Sequence, residues 1–333
     1  MSARFDVAAL GNAIVDVIAP SDDAFLQTEG LDKGSMRLID DDRADELYGR
    51  MAPGVEASGG SAGNTIAGVA SFGGRAAYVG KVADDQLGGV FAHDIRALGV
   101  HFEVAPLTGG PATGRCLINV TPDGQRTMCT YLGAANRLTP EDVDPSLIRD
   151  SAVTFLEGYL FDPEDARRAF ETAAEAARSA DRMISLTLSD AFVVERHRDA
   201  LLQFLPNVDI LFANAAEIAS LFQTEDFEAA VGQVRGRVKI AAVTDGEKGS
   251  VIVSGEQTHR ISAERVDKVV DTTGAGDQYA AGVLFGIARG MPLDQCGRLG
   301  SIAAAEVIGH YGPRPLVSLK ALASEAGLPG LNA

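Results

Sequence analysis

A glycine-rich turn followed by an acid, Gly274-Ala275-Gly276-Asp277, is the segment best suited to chemistry. The residues after it are small and apolar, so the turn predicts the start of a helix. The first N–H groups of a helix lack internal partners and lie at the positive end of its dipole, so they can bind a phosphoryl group. A carboxylate at Asp277 would repel that anion, so its presence there indicates a chemical role. Accepting a proton from a hydroxyl nucleophile is such a role. The alternative is an ordinary helix-start acid beside packing glycines.

A second cluster holds ten of the 37 glycines, within residues 54–89. Its GGSAGNTIAGVASFGG stretch predicts a tight turn into a helix, with Asn64 near the start able to donate and accept hydrogen bonds. No acid occurs between residues 59 and 81, where Arg75 and Lys81 give a local charge of +2. Such a turn suits a polyhydroxy ligand.

Three other motif interpretations are disfavoured by their context. A dinucleotide fingerprint needs a glycine three positions after Gly276, where the chain has Tyr279. Residues 246–250, GEKGS, lack the spacing of a phosphate-binding Walker loop. Residues 59–63 match the GxSxG motif of hydrolases, but that motif needs a strand before Ser61, and MAPGVEAS is a poor strand. The histidines lie outside site-like contexts, at 93, 101, 197, 259 and 310.

The elements that must position these turns alternate between strands and helices. The apolar runs predict paired strands at 5–10 and 14–19 joined at Gly11-Asn12, a helix at 61–72, a strand at 75–82 and a helix at 91–98. Residues 113–131 predict a hairpin that turns at Pro122-Asp123-Gly124.

The second half of the chain predicts a sheet covered by helices. Its apolar runs VTFLEG, MISLTL, VDILFA and KIAAVT are separated by helical stretches such as 164–179, and SVIVS and THRISA precede one long helical tail at 274–309. The prediction is one α/β domain over residues 1–333, with a doubly wound, mostly parallel sheet between helices. A small β-sheet lid would come from about 17–45 and 112–135.

Composition excludes several classes of protein. The chain has 333 residues, with 29 basic and 46 acidic side chains for a net charge of −17, which repels nucleic acids and anionic membranes. No apolar run is long enough for a membrane span, and the start does not resemble a signal peptide. Three scattered cysteines, Cys116, Cys129 and Cys296, form no paired motif, so the expected location is a reducing cytoplasm.

Two long segments together resemble the signatures of the ribokinase (PfkB) family of carbohydrate and nucleoside kinases. They are GGSAGNTIAGVASFGGRAAYVGKVADDQLG and, some 200 residues later, DTTGAGDQYAAGVLFGI. Between them, residues 214–217 are similar to the family's NxxE element and residues 244–249 to its TxGxxG loop. The resemblance spans nearly the whole chain, and it implies a ribokinase-like fold and ATP-dependent phosphorylation of a hydroxyl.

The resemblance also implies roles for individual residues. Asp277 would be the catalytic base, and the amides of Gly274, Ala275 and Gly276 the anion hole. The donor side would comprise Asn214 and Glu217, which organise Mg²⁺ through water, and Thr244, Gly246 and Gly249 beside ATP. Asp271 and Thr273 resemble the start of a loop that binds a monovalent cation such as K⁺. Asp16, Gly60 and Asn64 match the positions that bind the hydroxyls of the acceptor, and Asn12 would assist them.

GNAIVD and QRTMCTYLGAAN resemble the adenosine-kinase branch, in which Arg126 would reach the phosphates. The alternative for Arg126 is an exposed hairpin residue. The expected acceptor is therefore the 5′-hydroxyl of adenosine, giving AMP, with a free sugar such as ribose or fructose as the alternative. Gly63, Ala83 and Tyr279 depart from the branch, and only Gly63 bears on the substrate.

A non-catalytic nucleotide-binding regulator is the second alternative, and the presence of Asp277 argues against it. The lid strands could pair between subunits, so the expected state is a monomer or a homodimer through the lid.

Overall fold

Thirteen strands form two sheets in the computed structural model, which describes residues 3–328. In chain order the strands are β1 (Phe5–Leu10), β2 (Ile14–Pro20), β3 (Met36–Leu38), β4 (Val55–Ser58), β5 (Ala76–Val79), β6 (Gly114–Val120), β7 (Arg126–Tyr131), β8 (Ser151–Glu157), β9 (Met183–Thr187), β10 (Ile210–Asn214), β11 (Ile240–Thr244), β12 (Ser250–Ser254) and β13 (Gln257–Ile261).

Twelve α-helices within the same residues cover the sheets. They are α1 (Asp23–Thr28), α2 (Asp41–Arg50), α3 (Ser61–Ser71), α4 (Gln86–Ala97), α5 (Pro145–Arg149), α6 (Glu164–Ser179), α7 (Ala191–Phe204), α8 (Ala215–Phe222), α9 (Phe227–Val234), α10 (Ala275–Ala288), α11 (Leu293–Ile308) and α12 (Leu319–Glu325). Among the helices of residues 3–328, none combines the length and the hydropathy that a membrane span requires.

The large sheet has eight strands in the order β13-β12-β11-β10-β9-β8-β1-β5. Its strands from β11 to β5 run parallel, whereas β12 and β13 form an antiparallel hairpin at one edge. Successive side chains of β10 alternate between two cores, because Leu211 packs with α6 to α9 and Phe212 packs with α3 and α10. The predicted doubly wound α/β fold is therefore confirmed.

The small sheet has five strands in the order β3-β7-β6-β2-β4. The predicted hairpin is present, with Arg115 opposite Tyr131 and a positive φ of 83° at Gly124 in its turn. The sheet also takes in Ile14 and β4, which lie outside the proposed lid segments of about 17–45 and 112–135. Local sequence could not show this reach, because β4 pairs with β2 across about forty residues.

Two sequence predictions about element boundaries are wrong. β1 and β2 do not pair with each other, since β1 lies between β5 and β8 whereas β2 lies between β4 and β6. The helical tail at 274–309 is two helices, because Gly290 adopts a positive φ of 69° and Pro292 precedes α11.

Helices α10 and α11 pack so closely that Gly282 has no room for a side chain. A Cβ there would lie 2.4 Å from the backbone nitrogen of Gly300. We expect Gly282→Ala to destabilise the protein by about 1–3 kcal/mol, because two backbones would have to separate. Urea unfolding measures this free energy.

The matched control is Gly89→Ala in α4, where a Cβ would meet nothing within 4 Å. This change should be neutral or stabilise the helix by up to about 1 kcal/mol. Equal unfolding midpoints and slopes for the two variants would contradict the close packing of α10 and α11.

Candidate active site

The predicted site residues converge where the two sheets meet, at the carboxyl ends of the strands of the large sheet. Residues 11–13 carry the chain from β1 into β2 and so place Asn12 and Asp16 at the junction of the sheets. Helices α3 and α10 also begin at this junction, as shown by the hydrogen bonds between their first turns. A site at this edge is expected for an open α/β sheet.

Asp277 lies in the first turn of α10 and faces α3. Its carboxylate accepts a hydrogen bond from Ser61 Oγ at 2.6 Å and another from Asn64 Nδ2 at 3.1 Å. Burial raises the pKa of Asp277 to about 6, although these two hydrogen bonds act in the opposite direction. The group is therefore a carboxylate whose proton affinity lies closer to neutral pH than usual.

The turn before Asp277 depends on glycine. Gly274 begins α10 with a positive φ of 79°, and a Cβ at this position would lie 2.6 Å from the Cα of Pro313. Gly276 is exposed, and a Cβ there would meet nothing within 4 Å. The turn thus leaves open space beside Gly276 where an anion could bind, while the Ala275 N–H donates to the carbonyl oxygen of Thr272 at 3.2 Å.

Asn12, Asp16, Gly60 and Asn64 form one side of the site. Asp16 is 8% exposed and lies against Gly59, where a Cβ would come within 2.3 Å of its Oδ1. Burial raises the pKa of Asp16 to about 6, while the charges of two arginines oppose that rise. Gly60 has a positive φ of 84° and packs on the carbonyl oxygen of Asn12. The site therefore offers a hydrogen-bond acceptor in confined space.

Glu157, at the end of β8, is a site residue that the sequence analysis missed. It is 1% exposed and accepts hydrogen bonds from Asn12 Nδ2 at 2.7 Å and from the backbone of Ala62 at 2.8 Å. Burial raises the pKa of Glu157 to about 7. An acid closing the apolar run VTFLEG was the available signal.

Arg314, in the loop before α12, is the second residue that was missed. Its Nη1 donates to Asp94 Oδ2 at 3.1 Å and its Nε to Asn64 Oδ1 at 3.4 Å. Burial lowers the pKa of Arg314, and the charges of Asp94 and Asp16 oppose this. No local pattern in its GPRP segment indicated a role in the site.

Asn214 and Glu217 begin α8 as a capping box. Asn214 Oδ1 accepts from the Glu217 backbone at 2.8 Å, and Glu217 accepts from Asn214 Nδ2 at 2.7 Å. Glu217 is 6% exposed, and burial raises its pKa to about 7. Both residues line a cavity of about 80 Å³ together with Asp277. The capping box explains why the pair forms, but the cavity places it beside the proposed base.

The residues around Glu217 fit a magnesium ion held mostly by other ligands. Within residues 3–328, no three acidic, histidine or cysteine side chains converge to hold a metal directly. Mg²⁺ usually keeps several waters and binds substrate phosphates. Glu217 thus fits the predicted contact through water.

A larger cavity of about 580 Å³ lies on the other side of the glycine turn. It is lined by the predicted donor-site residues Thr244, Gly246 and Gly249, together with Ala275 and Gly276. Its apolar lining comprises Ala263, Val266, Val269, Ala304, Ala305 and Ile308. Its volume is in the range of small-molecule sites, and this lining together with the glycine turn suits an aromatic base and a phosphate chain.

Arg126 is buried, so the interpretation of it as an exposed hairpin residue is wrong. It is 7% exposed, and its Nη2 lies 2.7 Å from Asp271 Oδ2. Asp271 also accepts hydrogen bonds from the backbones of Thr273 and Gly312. This ion pair connects the small sheet to the segment that leads into the glycine turn. Binding of a monovalent cation by Asp271 and Thr273 stays a prediction.

Ser61 has a strand before it, contrary to the sequence prediction. β4 ends three residues upstream, paired with β2 as an edge strand of the small sheet. Ser61 Oγ donates to Asp277, a carboxylate, and its helix packs against α10. The GxSxG segment thus begins a helix, and its serine donates a hydrogen bond to the carboxylate of Asp277.

Comparison with known proteins gives a consistent result. The model of the pfkB family of carbohydrate kinases matches residues 6–319. A solved probable sugar kinase from Rhizobium etli CFN 42 is 51% identical, with a TM-score of 0.91, covering 98% of this chain and 99% of that one. A solved adenosine kinase from Sinorhizobium meliloti is 55% identical, with a TM-score of 0.90, covering 97% and 100%. The adenosine kinase of Saccharomyces cerevisiae is 26% identical over 91% of this chain and 95% of that protein.

The raised pKa of Asp277 predicts how stability depends on pH. Its folded pKa of about 6 exceeds the ordinary value of 3.8, so the folded state retains the proton to higher pH than the unfolded state. The stability associated with that proton is present below about pH 4 and is lost as pH rises through 6. Asp277→Asn avoids the loss, so its unfolding free energy relative to the parent protein should increase by at most about 3 kcal/mol between pH 4 and pH 7.

Denaturant unfolding of both proteins at a series of pH values measures this difference. Asp199→Asn is the control, because Asp199 is 90% exposed and its replacement removes a charge from the surface only. A difference between Asp277→Asn and the parent that stays constant from pH 4 to pH 7 would show that Asp277 does not titrate as a buried acid.

Proposed function

The chain belongs to the pfkB family of carbohydrate kinases, and from this premise we propose that it transfers the γ-phosphate of ATP to the 5′-hydroxyl of adenosine, giving AMP. The membership makes it an ATP-dependent kinase of a sugar or a nucleoside, as the resemblance predicted. The choice of adenosine and the roles of the residues below are proposals.

The observation that supports the mechanism is that both cavities reach the same turn. Thr244, Gly276 and Tyr279 line the 580 Å³ cavity and also the smaller cavity that contains Asp277. ATP in the large cavity would therefore direct its phosphates towards Asp277. Asn64 donates to Asp277 and accepts from Arg314, and the charge of Arg314 in turn acts on Asp16. Phosphoryl transfer depends mainly on such alignment of donor and acceptor.

Asp277 would act as the base that takes the proton of the attacking hydroxyl. With a pKa of about 6, set by burial, Asp277 is largely ionised at pH 7 to 8, and it binds a proton more strongly than an exposed aspartate does. The amides of Gly274, Ala275 and Gly276 would donate to the charge that develops on the transferred group. Mg²⁺ organised by Asn214 and Glu217 would neutralise phosphate charge.

The acceptor side suits a ribose. An ionised Asp16 can accept hydrogen bonds from two neighbouring hydroxyls, and the buried Asn12 Oδ1 has no hydrogen-bond partner within residues 3–328. A vicinal diol together with a further hydroxyl would satisfy both groups. The adenosine kinase at 55% identity supports a nucleoside carrying this ribose.

Free ribose or fructose is the second candidate acceptor. The same polar groups would bind a sugar without a base, and the probable sugar kinase at 51% identity favours this alternative. A non-catalytic regulator is disfavoured because Asp277 is present and held by two hydrogen bonds.

The small sheet would act as a lid over the acceptor. It contributes Asp16 to the site and reaches the glycine turn through the ion pair of Arg126 with Asp271. Closure would exclude water that competes with the acceptor for the phosphoryl group. We also propose a reducing cytoplasmic location, which is supported by the three cysteines being free.

Loss of the proposed base should abolish most turnover while leaving binding intact. We expect Asp277→Asn to lower kcat by at least about 10²-fold, the low end for general-base catalysis, with little change in Kd for the acceptor. Coupled ADP release and calorimetry measure the two quantities, and Asp199→Asn is the charge-matched control. Near-normal turnover in Asp277→Asn would eliminate Asp277 as the base.

A screen of acceptors decides the substrate. ADP release should show the highest kcat/KM for adenosine among nucleosides, ribose and fructose, because ribose and base would both contribute to binding. 5′-Deoxyadenosine should inhibit competitively without being phosphorylated, since it lacks the attacking oxygen. A signal from a free sugar with none from adenosine would support the sugar kinase, and ATP binding without any turnover would support the regulator.

A further inference from the structure

We propose that Arg314 is a positioning residue for the proton transfer, because its guanidinium orients the Asn64 amide that holds Asp277. The proposal rests on the proposed function, since it assigns a residue to the same site. Arg314 lies 37 residues beyond Asp277 in sequence, and its side chain is connected to the Asp277 carboxylate through Asn64.

A chain of hydrogen bonds connects the three side chains. Arg314 Nε donates to Asn64 Oδ1 at 3.4 Å, and Asn64 Nδ2 donates to Asp277 Oδ2 at 3.1 Å. A side-chain amide has one acceptor end and one donor end. Asn64 therefore lies between a cation, which requires its oxygen, and an anion, which requires its NH₂ group.

The opposite orientation of the Asn64 amide is unfavourable at both ends. A rotated amide would place its oxygen against the carboxylate of Asp277 and its NH₂ group against the guanidinium of Arg314. Without Arg314 only the carboxylate would select the orientation, and the amide oxygen would be left without this donor. The arginine thus adds the second constraint that holds the amide in place.

Arg314 is itself held firmly. Its Nη1 bonds to Asp94 Oδ2, and Asp94 is anchored by the backbone and hydroxyl of Ser58 at 2.8 and 2.5 Å. Gln278 Nε2 donates to the backbone oxygens of Asn64 and Pro313, both at 2.9 Å. The residue after the base therefore ties the loop that carries Arg314 to the helix that carries Asn64.

Gly63 provides the space that the arginine uses. A Cβ on Gly63 would have Arg314 Nη2 as its nearest neighbour, at 3.7 Å. A long side chain at position 63 would meet the guanidinium. Gly63, which departs from the adenosine-kinase pattern, thus leaves room for the guanidinium of Arg314 from a distant loop.

Several charged or titratable groups face Asp277 from the elements around it. Asp16 on β2, Glu157 at the end of β8, Tyr159 just beyond it and Glu217 on α8 each interact electrostatically with Asp277. The charge of Asp277 disfavours the ionised form of all four groups. Burial raises the pKa of Asp277 itself, and the hydrogen bonds from Ser61 and Asn64 oppose this rise.

Removal of Arg314 should therefore raise the pKa of Asp277. A less constrained Asn64 would donate less often to the carboxylate, and loss of a hydrogen bond to a charged group corresponds to about one pKa unit. The pKa of Asp16 would rise as well, because the charge of Arg314 lowers it. Both changes have the same sign, and both reduce activity at low pH.

The variant Arg314→Met removes the charge and both hydrogen bonds while keeping a long side chain. We expect the acid limb of kcat/KM against pH to move up by about one unit, with a roughly fivefold loss in kcat near pH 6 and no change in KM for ATP. Arg314→Lys retains a charge near Asp16 but cannot bond to Asn64 and Asp94 as a guanidinium does. Its pH profile should therefore lie between those of the parent protein and Arg314→Met.

Arg289→Met is the matched control. Arg289 Nη2 bonds to Asp6 at 3.0 Å and is 29% exposed, against 3.1 Å and 18% for Arg314 with Asp94, but it lies at the opposite end of α10. Both variants should lose similar stability. Only Arg314→Met should move the pH profile, whereas equal shifts in both variants would mean that Arg314 is merely structural.

A titration without catalysis separates this proposal from the proposed function. The side-chain carboxyl ¹³C resonance of Asp277, assigned by its disappearance in Asp277→Asn, should titrate about one unit higher in Arg314→Met than in the parent or in Arg289→Met. An unshifted resonance in folded Arg314→Met would overturn the proposal even if the parent is an active kinase. If the resonance shifts in Arg314→Met but the parent protein phosphorylates no acceptor, the positioning role of Arg314 is supported and the proposed function is refuted.

Discussion

The burial of four carboxylates around the junction of the sheets is the constraint on which the rest of the structure depends. Asp16, Glu157, Glu217 and Asp277 come from two sheets and two helices, and burial raises the pKa of each. A cluster of so many acids is stable only if hydrogen-bond donors surround it. Asn12, Asn214, Ser61 and Asn64, with the arginine charge of the loop before α12, are those donors. Much of the polar structure at the junction of the sheets therefore compensates this burial.

Glycine allows those donors and acids to approach one another. A Cβ at position 59 would collide with Asp16, one at 60 with the backbone of Asn12, and one at 274 with Pro313. The protein carries a net charge of −17, yet the proposed phosphate site needs no basic surface, because helix-terminal amides in a glycine turn can supply the positive end of a dipole. An acidic chain with surplus glycine is thus suited to a small anion held by backbone groups.

Most local features could be predicted from the sequence because they follow from local interactions. The helix starts at Ser61 and Ala275, the hairpin turn at Gly124 and the capping box of Asn214 with Glu217 depend on residues within a few positions of each other. One error was local, because Gly290 and Pro292 divide the predicted helical tail into α10 and α11. The other errors concerned pairing over longer distances. The sequence predicted β1 and β2 as one strand pair, although they belong to different sheets. β4 forms a strand only because β2 is available as its partner.

The family, the alternation of strands and helices, and the positions of the two glycine turns follow from the amino-acid sequence alone, since each is encoded in a contiguous segment. Which acids and cations share the site depends instead on the tertiary fold. Glu157 reaches the first turn of α3 across 95 residues, and Arg314 reaches Asn64 across 250. Such contacts depend on the order of strands in the sheet and on where a distant loop returns. No local periodicity or propensity records those facts.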